Sequence, residues 1–351
     1  MSRFIQLHML TSYPPANLNR DDLGRPKTAK MGGVDRLRIS SQSLKRAWRT
    51  SDIFKSALDG HIGTRTKRAG VEVRNKLLEL GVEEKNAKVW AQAIAKEFGK
   101  LKKENKNNPD EELYIEQLAH FSPKEWDAIM ILAEKLAGEK RPPGKDDLAI
   151  LRKDHQAVDI AFFGRMLADK PSYNMEAAVQ VAHAISTHAV VIEDDYFTAV
   201  DDLNRGESDA GAGHVGDAGF AAGLFYLYAC INREQLIKNL NGDIDLANKA
   251  VGAFVEAGAK VAPSGKQNSF ASRAFASYLL AERGNQQPRS LSVSFLQPVS
   301  GNNLLNESIA NLERQMNRMD KAYGACAEAR SVMNVEKGEG TLQEIIDFCK
   351  E

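Results

Sequence analysis

Residues 220–232 read FAAGLFYLYACIN, a run without charge that is apolar on both alternating faces. A strand patterned this way is covered on both sides, so the run is predicted to be a central strand. Upstream, residues 3–12 alternate in strand fashion, with Phe4, Ile5, Leu7, Met9 and Leu10 apolar, and are predicted to form the first strand. YPPANLNRDDLGRPKTAKMGG follows as a long Pro, Gly and polar loop, then a short extended segment over 36–40 and a helix over the next ten residues. Helical spacing among many charges marks residues 60–155 as a helical insert, whose KKENKNNPDEE run is predicted to be a solvated loop. AVDIAFFGRM is predicted as a strand ending at Gly164, and AAVQVAHAISTHAVV as another. Beyond residue 232, helices are expected near 245–260, 303–322 and 340–350, with extended segments near 268–280 and 288–297. Strands scattered among helices define an α+β fold with insertions.

The 351 residues suffice for one large or two ordinary domains, and 43% hydrophobic content fits a globular chain. Cys230, Cys326 and Cys349 lie far apart, which suggests neither a disulfide framework nor a zinc knuckle and is consistent with a reducing cytoplasm. The first fifteen residues are too polar for a signal peptide or membrane span. The 47 basic and 47 acidic residues cancel, which argues against a uniformly basic surface but permits a basic groove.

One stretch concentrates that charge. RLRISSQSLKRAWRTS, residues 36–51, holds Arg36, Arg38, Lys45, Arg46 and Arg49 and no acid. At about 100° per residue, Gln42, Lys45, Arg46 and Arg49 share one helical face, while Leu44, Ala47 and Trp48 share the other. Ser40 and Ser41 are cap candidates that leave amides and hydroxyls at the positive helix end. The preceding loop adds Arg20, Arg25, Lys27 and Lys30, with Gly32 and Gly33 allowing close approach of a ligand. Cations repeated along one face suit a polyanion; the competing explanation is an ordinary solvated helix face.

Other motifs carry less. GAGHVG, residues 211–216, has the spacing of a dinucleotide loop, yet no apolar strand precedes it and its neighbours are acidic, so it is expected to be a flexible loop. His183 and His188, five apart on the expected strand, point to opposite faces and do not share a metal. Asp21 with Asp22 and Asp201 with Asp202 lack a nucleophile or base at fixed spacing, so no catalytic constellation, metal site or cofactor is expected. GLFYLYAC has the aromatic content of base-stacking strands but lacks their basic lead and Gly-Phe pattern.

SRFIQLHMLTSYPPANLNRDD, GGVDRLRISSQSLKRAWR, VDIAFFGRM, AHAISTH and DYFTAVDDL, in this order, resemble the backbone (CasC-type) subunit of the type I-E CRISPR surveillance complex Cascade. The resemblance implies a modified RNA-recognition-motif, ferredoxin-like palm over 1–58, 156–190 and 220–351, helical fingers over 59–155 and a thumb loop over 191–219. It implies a non-catalytic cytoplasmic subunit that binds CRISPR RNA, neighbouring copies of itself and other Cascade subunits, and presents the guide to a target DNA strand, with no membrane partner. Carried over by position, RNA contacts fall to Arg20, Lys27, Ser40, Gln42, Lys45, Arg49 and Met166. Base displacement falls to the thumb residues Phe197, Thr198, Val200 and Val215. The rival is a metal-dependent ribonuclease, as in related backbone subunits of type III complexes, with Asp21, Asp22 and Asp35 in a comparable region.

Overall fold

The 220–232 run belongs to a strand of 19 residues, His214–Asn232, in a sheet covered on both faces. The computed structural model describes residues 2–151, 156–199 and 214–351. The chain divides into two units: residues 1–54, 180–231 and 251–351 form a sheet unit, and residues 55–179 and 232–250 a helical unit. In chain order the strands are β1 (Phe4–Ala16), β2 (Thr28–Met31), β3 (Val34–Ile39), β4 (Thr64–Thr66), β5 (Ala119–Phe121) and β6 (Val179–Val181). They continue with β7 (Ala184–Ser186), β8 (Glu193–Ala199), β9 (His214–Asn232), β10 (Ala276–Gly284) and β11 (Ala329–Asn334). The main sheet runs β11-β10-β1-β9-β7-β3-β2, with β6 and β8 also paired to β9.

Antiparallel registers fix which side chains enter which layer. β1 pairs with β10 from Phe4 opposite Gly284 to Leu10 opposite Tyr278, then shifts register between Leu10 and Thr11. Ile5, Leu7 and Met9 alternate on one face, where a Cβ on Gly258 of the Ile244–Lys260 helix would lie 3.6 Å from Met9. On the other face Leu10, Leu224, Tyr226, Tyr278 and Leu280 pack with Ile309 and Leu312 of the Leu304–Tyr323 helix. Helices over both faces explain why β9 lacks a polar side.

Gln6 and His8, polar residues within β1, are also interior and are satisfied there. The Gln6 side-chain oxygen accepts from the Tyr228 hydroxyl and the Arg289 amide, each at 2.8 Å. His8 lies 2.8 Å from the Tyr226 hydroxyl and 3.2 Å from Glu282, which also binds Arg289 and Arg330. Burying these groups is tolerable because each has partners.

The helical unit has its own core. Val71, Val73, Leu77, Trp90, Ile94, Phe121, Ile129 and Leu136 are buried together, on the helices Ala69–Glu79, Glu84–Lys96 and Pro123–Glu139 and on the β4–β5 pair. Ser122 and Glu125 form a buried capping box, and Arg165 closes it with a 2.7 Å ion pair to Glu125. The KKENKNNPDEE run, expected between two helices, instead leads from the Glu84–Lys96 helix towards β5 and enters a single-turn 3-10 helix, Pro109–Leu113.

The α+β class and the helices Ile244–Lys260, Leu304–Tyr323 and Leu342–Lys350 agree with the sequence reading. Several local expectations do not. VDIAFF is a helix, Val158–Phe163, not a strand; it is buried through Phe162, so its hydrophobicity carries no period, and Gly164 ends it at φ 79°. AAVQVAHAISTHAVV forms two three-residue strands instead of one, with His183 between them and His188 beyond. The expected extended segment at 288–297 contains a 3-10 turn, Ser292–Phe295, and that at 268–280 begins with a helical turn, Gln267–Phe270. The long loop after β1 contains β2, and β11 was not foreseen.

Candidate nucleic-acid interface

The Ser41–Thr50 helix starts where β3 ends, and its first turn is held from three directions. Ser40 is the N-cap, its hydroxyl accepting from the Ser43 amide at 3.3 Å. The Ser40 amide donates to Asn19 Oδ1 at 2.8 Å, and the Ser41 amide to His183 Nδ1 at 3.0 Å. Leu44 and Trp48 are buried, with Trp48 edge-on to Phe254 at 5.3 Å and its indole N–H donating to the Val261 carbonyl. Gln42 and Arg46 are exposed, and Lys45 and Arg49 half-buried, so the cation row faces outward as its spacing predicts. Asp52 opens the next helix three residues beyond Arg49.

The preceding loop brings further cations to this helix start. The Lys27 amide donates to Asn19 O at 2.8 Å, and the Lys27 carbonyl accepts from the Arg38 amide at 2.8 Å. Arg20 is exposed beside its bridge to Pro26. Partial burial, then the charges of Arg38, Lys45 and Lys27, lower the His183 pKa below its ordinary value. With two donors near Nδ1, the Ser41 amide and an Arg38 Nη1 at 3.4 Å, the ring is neutral with its proton on Nε2. Arg20, Lys27, Lys45 and Arg46 make no ion pair among the described residues, so their attraction is available to an external anion.

One expectation from the sequence changes here. Arg36 is fully buried, donating to the carbonyls of Ser186 and Phe295 at 2.9 Å each, and is a structural strut instead of a surface cation. Asp21 uses Oδ1 to accept the Leu23 and Arg25 amides at 2.9 Å, an Asx turn that shapes the basic loop. No group of three His, Cys, Asp or Glu residues able to hold a metal occurs among the described residues.

The stretch expected as a thumb loop enters and leaves as a β ribbon. Over 193–199 it pairs antiparallel with the start of β9, Phe197 opposite Gly216 and Thr198 opposite Val215. His214 and Gly216, part of the expected GAGHVG loop, are therefore in a strand. Tyr196 and Phe197 are 68% and 43% exposed on a ribbon open to solvent. A Cβ at Gly216 would come within 2.6 Å of the Phe197 ring, so glycine leaves space for that ring. Val200, Asp201 and Asp202 lie outside the described residues, and the Val215 side chain is not described.

The ribbon is fastened to the basic loop. Buried Asn17 donates through Nδ2 to the Gly24 carbonyl at 2.8 Å and the Gly219 carbonyl at 2.9 Å, and Arg25 pairs with Asp194 at 3.0 Å. Met166 belongs to the helical unit, where its side chain is 72% exposed after the Arg165–Met175 bridge. Sequence reasoning missed His183, Asn17 and Asn19, because their roles rest on partners distant in the chain.

An outward cation row at a capped helix start, on an α+β sheet unit, is an arrangement whose charge suits a polyanion. The chain belongs to the CT1975-like protein family, whose model matches residues 5–348. It superposes on a chain of a "CRISPR RNA-guided surveillance complex, pre-nicking" with a TM-score of 0.86 and 29% identity, covering 99% of each chain. It superposes on a chain of a "CRISPR RNA-guided surveillance complex" with a TM-score of 0.76 and 25% identity, again covering 99% of each. No curated protein matches the chain. The chain therefore shares its fold, along nearly its whole length, with chains of CRISPR RNA-guided surveillance complexes.

Proposed function

We propose that this chain is the repeating backbone subunit of a type I-E complex, binding guide RNA by its phosphates and holding it for pairing with a target DNA strand. The observation that carries this is the outward row Gln42, Lys45, Arg46 and Arg49 at a helix start joined to Lys27 and Arg38 around one imidazole. Several cations on a rigid edge engage a polyanion without reading bases, as a subunit serving any guide must. Ser40 and Gln42 present polar groups at the positive helix end, and Arg20 extends the grip along the loop.

The sheet unit supplies the palm and, through β8 and the start of β9, the thumb; the helical unit supplies the fingers, with Met166 laid against bases. Phe197 and Thr198, with Val200 and Val215, displace one nucleotide from the stack, which costs a few kcal/mol that phosphate contacts and the wedge offset. Copies repeating along the RNA leave the bases between kinks free, so pairing sets specificity and the protein sets shape.

The test is binding of unrelated single-stranded RNAs to a Lys45→Ala, Arg49→Ala variant across a salt series. Affinity is expected to fall equally for all sequences, and the slope of log affinity on log salt to shrink by about 0.7 per lost phosphate contact. Loss confined to one sequence, or an unchanged slope, rejects the phosphate grip.

A further inference from the structure

The segment Pro263–Phe275, reading PSGKQNSFASRAF, carries no acid, and none occurs between Glu256 and Glu282. It is docked at two points in the sheet unit, and the residues leading into it at a third. Its approach is fixed by the Trp48 indole N–H on the Val261 carbonyl at 3.3 Å. Gly265 lies against the loop after β1 so closely that a Cβ there would come 2.3 Å from the Leu18 carbonyl oxygen and 2.9 Å from that of Asn17. Phe270 packs on Phe220 of β9, ring centroids 6.2 Å apart. The segment therefore touches the loop after β1 and the root of the ribbon, and Val261, just before it, joins it to the basic helix.

Its outer surface is polar, cationic and conformationally strained. Lys266, Asn268, Ser269, Ala271 and Arg273 are exposed, and Lys266 and Arg273 have no ion pair among the described residues. Lys266 at φ 51° and Ala271 at φ 49° both occupy the left-handed region, which neither residue type favours. Strain of this kind persists where the surroundings enforce it, and it gathers at binding sites. Gln267 anchors the turn from inside, donating to the Pro263 carbonyl at 2.9 Å and the Ser272 hydroxyl at 3.2 Å, while its buried Oε1 has no partner among the described residues. An ordinary surface turn needs neither this docking nor this strain.

We infer that Pro263–Phe275 is a second phosphate-binding element for the same single-stranded RNA, with Lys266 and Arg273 as the contacting cations. The inference rests on the proposed RNA grip of the Ser41–Thr50 helix and adds a wall to it. Gly265 sets the distance of this wall from the basic loop, and Gln267 holds Lys266 in its left-handed turn.

The experiment compares three forms of the full chain with a mixed-sequence single-stranded RNA over a salt series: wild type, Lys266→Ala with Arg273→Ala, and Lys45→Ala with Arg49→Ala. Both exposed cations can be removed without touching the docking contacts, and matched thermal melts verify the fold. The Lys266, Arg273 variant is expected to bind roughly tenfold or more weakly, with a slope smaller by about 1.4. RNA should also protect Lys266 of the wild type from amine acetylation. Wild-type affinity and slope in that variant, or undiminished acetylation of Lys266 with RNA bound, overturn the inference. If the Lys45, Arg49 variant alone weakens binding, the helix grip stands without this wall; if neither variant does, the grip itself fails.

Discussion

His183 Nδ1 accepts the Ser41 amide proton at 3.0 Å, so an imidazole between two short strands caps the helix that displays the basic row. The same ring feels Arg38, Lys45 and Lys27. It is therefore both the anchor of the helix start and a marker of the positive field there.

This environment predicts a titration. Partial burial and three cations hold the His183 pKa below 6.5, so the folded state takes up a proton less readily than the unfolded chain. The stabilising contribution of the neutral ring is complete above pH 6.5 and declines as pH falls below 6.5 towards the folded value. An imidazole NMR titration of the protein should place His183 below the ordinary value; a midpoint at or above 6.5 contradicts the assignment.

Glu282 should behave as the hub of the sheet interior. Burial alone would raise its pKa, but hydrogen bonds from His8, Arg289 and Arg330 together hold it well below the usual carboxylate range. Glu282→Gln leaves the half-buried Arg289 without its carboxylate, whereas Arg330 keeps Asp320, and should destabilise the fold by about 1–3 kcal/mol. In the wild type this contribution is present above about pH 4.5 and is lost as pH falls through the lowered pKa. Urea melts at several pH values read both effects, and an equal midpoint for variant and wild type at neutral pH would refute the hub.

Asn17 is expected to matter through two carbonyls. Asn17→Ala removes the donor to Gly24 and Gly219 and leaves both oxygens short of a partner, for a loss of about 1–3 kcal/mol. Hydrogen exchange should quicken at the loop and at the base of the ribbon. Unaltered exchange at both places would show that Asn17 does not join them.

Phe197→Ala tests the proposed thumb. The ring is exposed and lies over Gly216, so its loss should leave thermal stability within about 0.5 kcal/mol of wild type. In RNA-loaded assemblies the periodic reactivity of displaced bases to chemical probes should diminish. An unchanged probing pattern removes Phe197 from that role.

Much of the candidate site was legible because its logic is local. Gln42, Lys45, Arg46 and Arg49 face outward, and Leu44 and Trp48 inward, through helical periodicity alone, and Ser40 caps the helix as its residue type predicts. β9 was legible because a strand buried on both faces has no polar side to display. VDIAFF failed for the same reason inverted: a short segment buried all round shows no period that separates helix from strand. Arg36 was misjudged because charge in the sequence does not reveal that two carbonyls wait inside the fold.

The sequence by itself determined the α+β class, the helix with its outward cations and the family resemblance, since these follow from residue order and near-neighbour spacing. Only the tertiary structure decided that His183 caps Ser41 across 142 positions, that Asn17 ties the basic loop to Gly219, and that Gly265 docks its turn on Leu18. The physical reason is that these are single directed contacts between distant segments. Each is fixed by the register and packing of the whole sheet, and no local pattern encodes it.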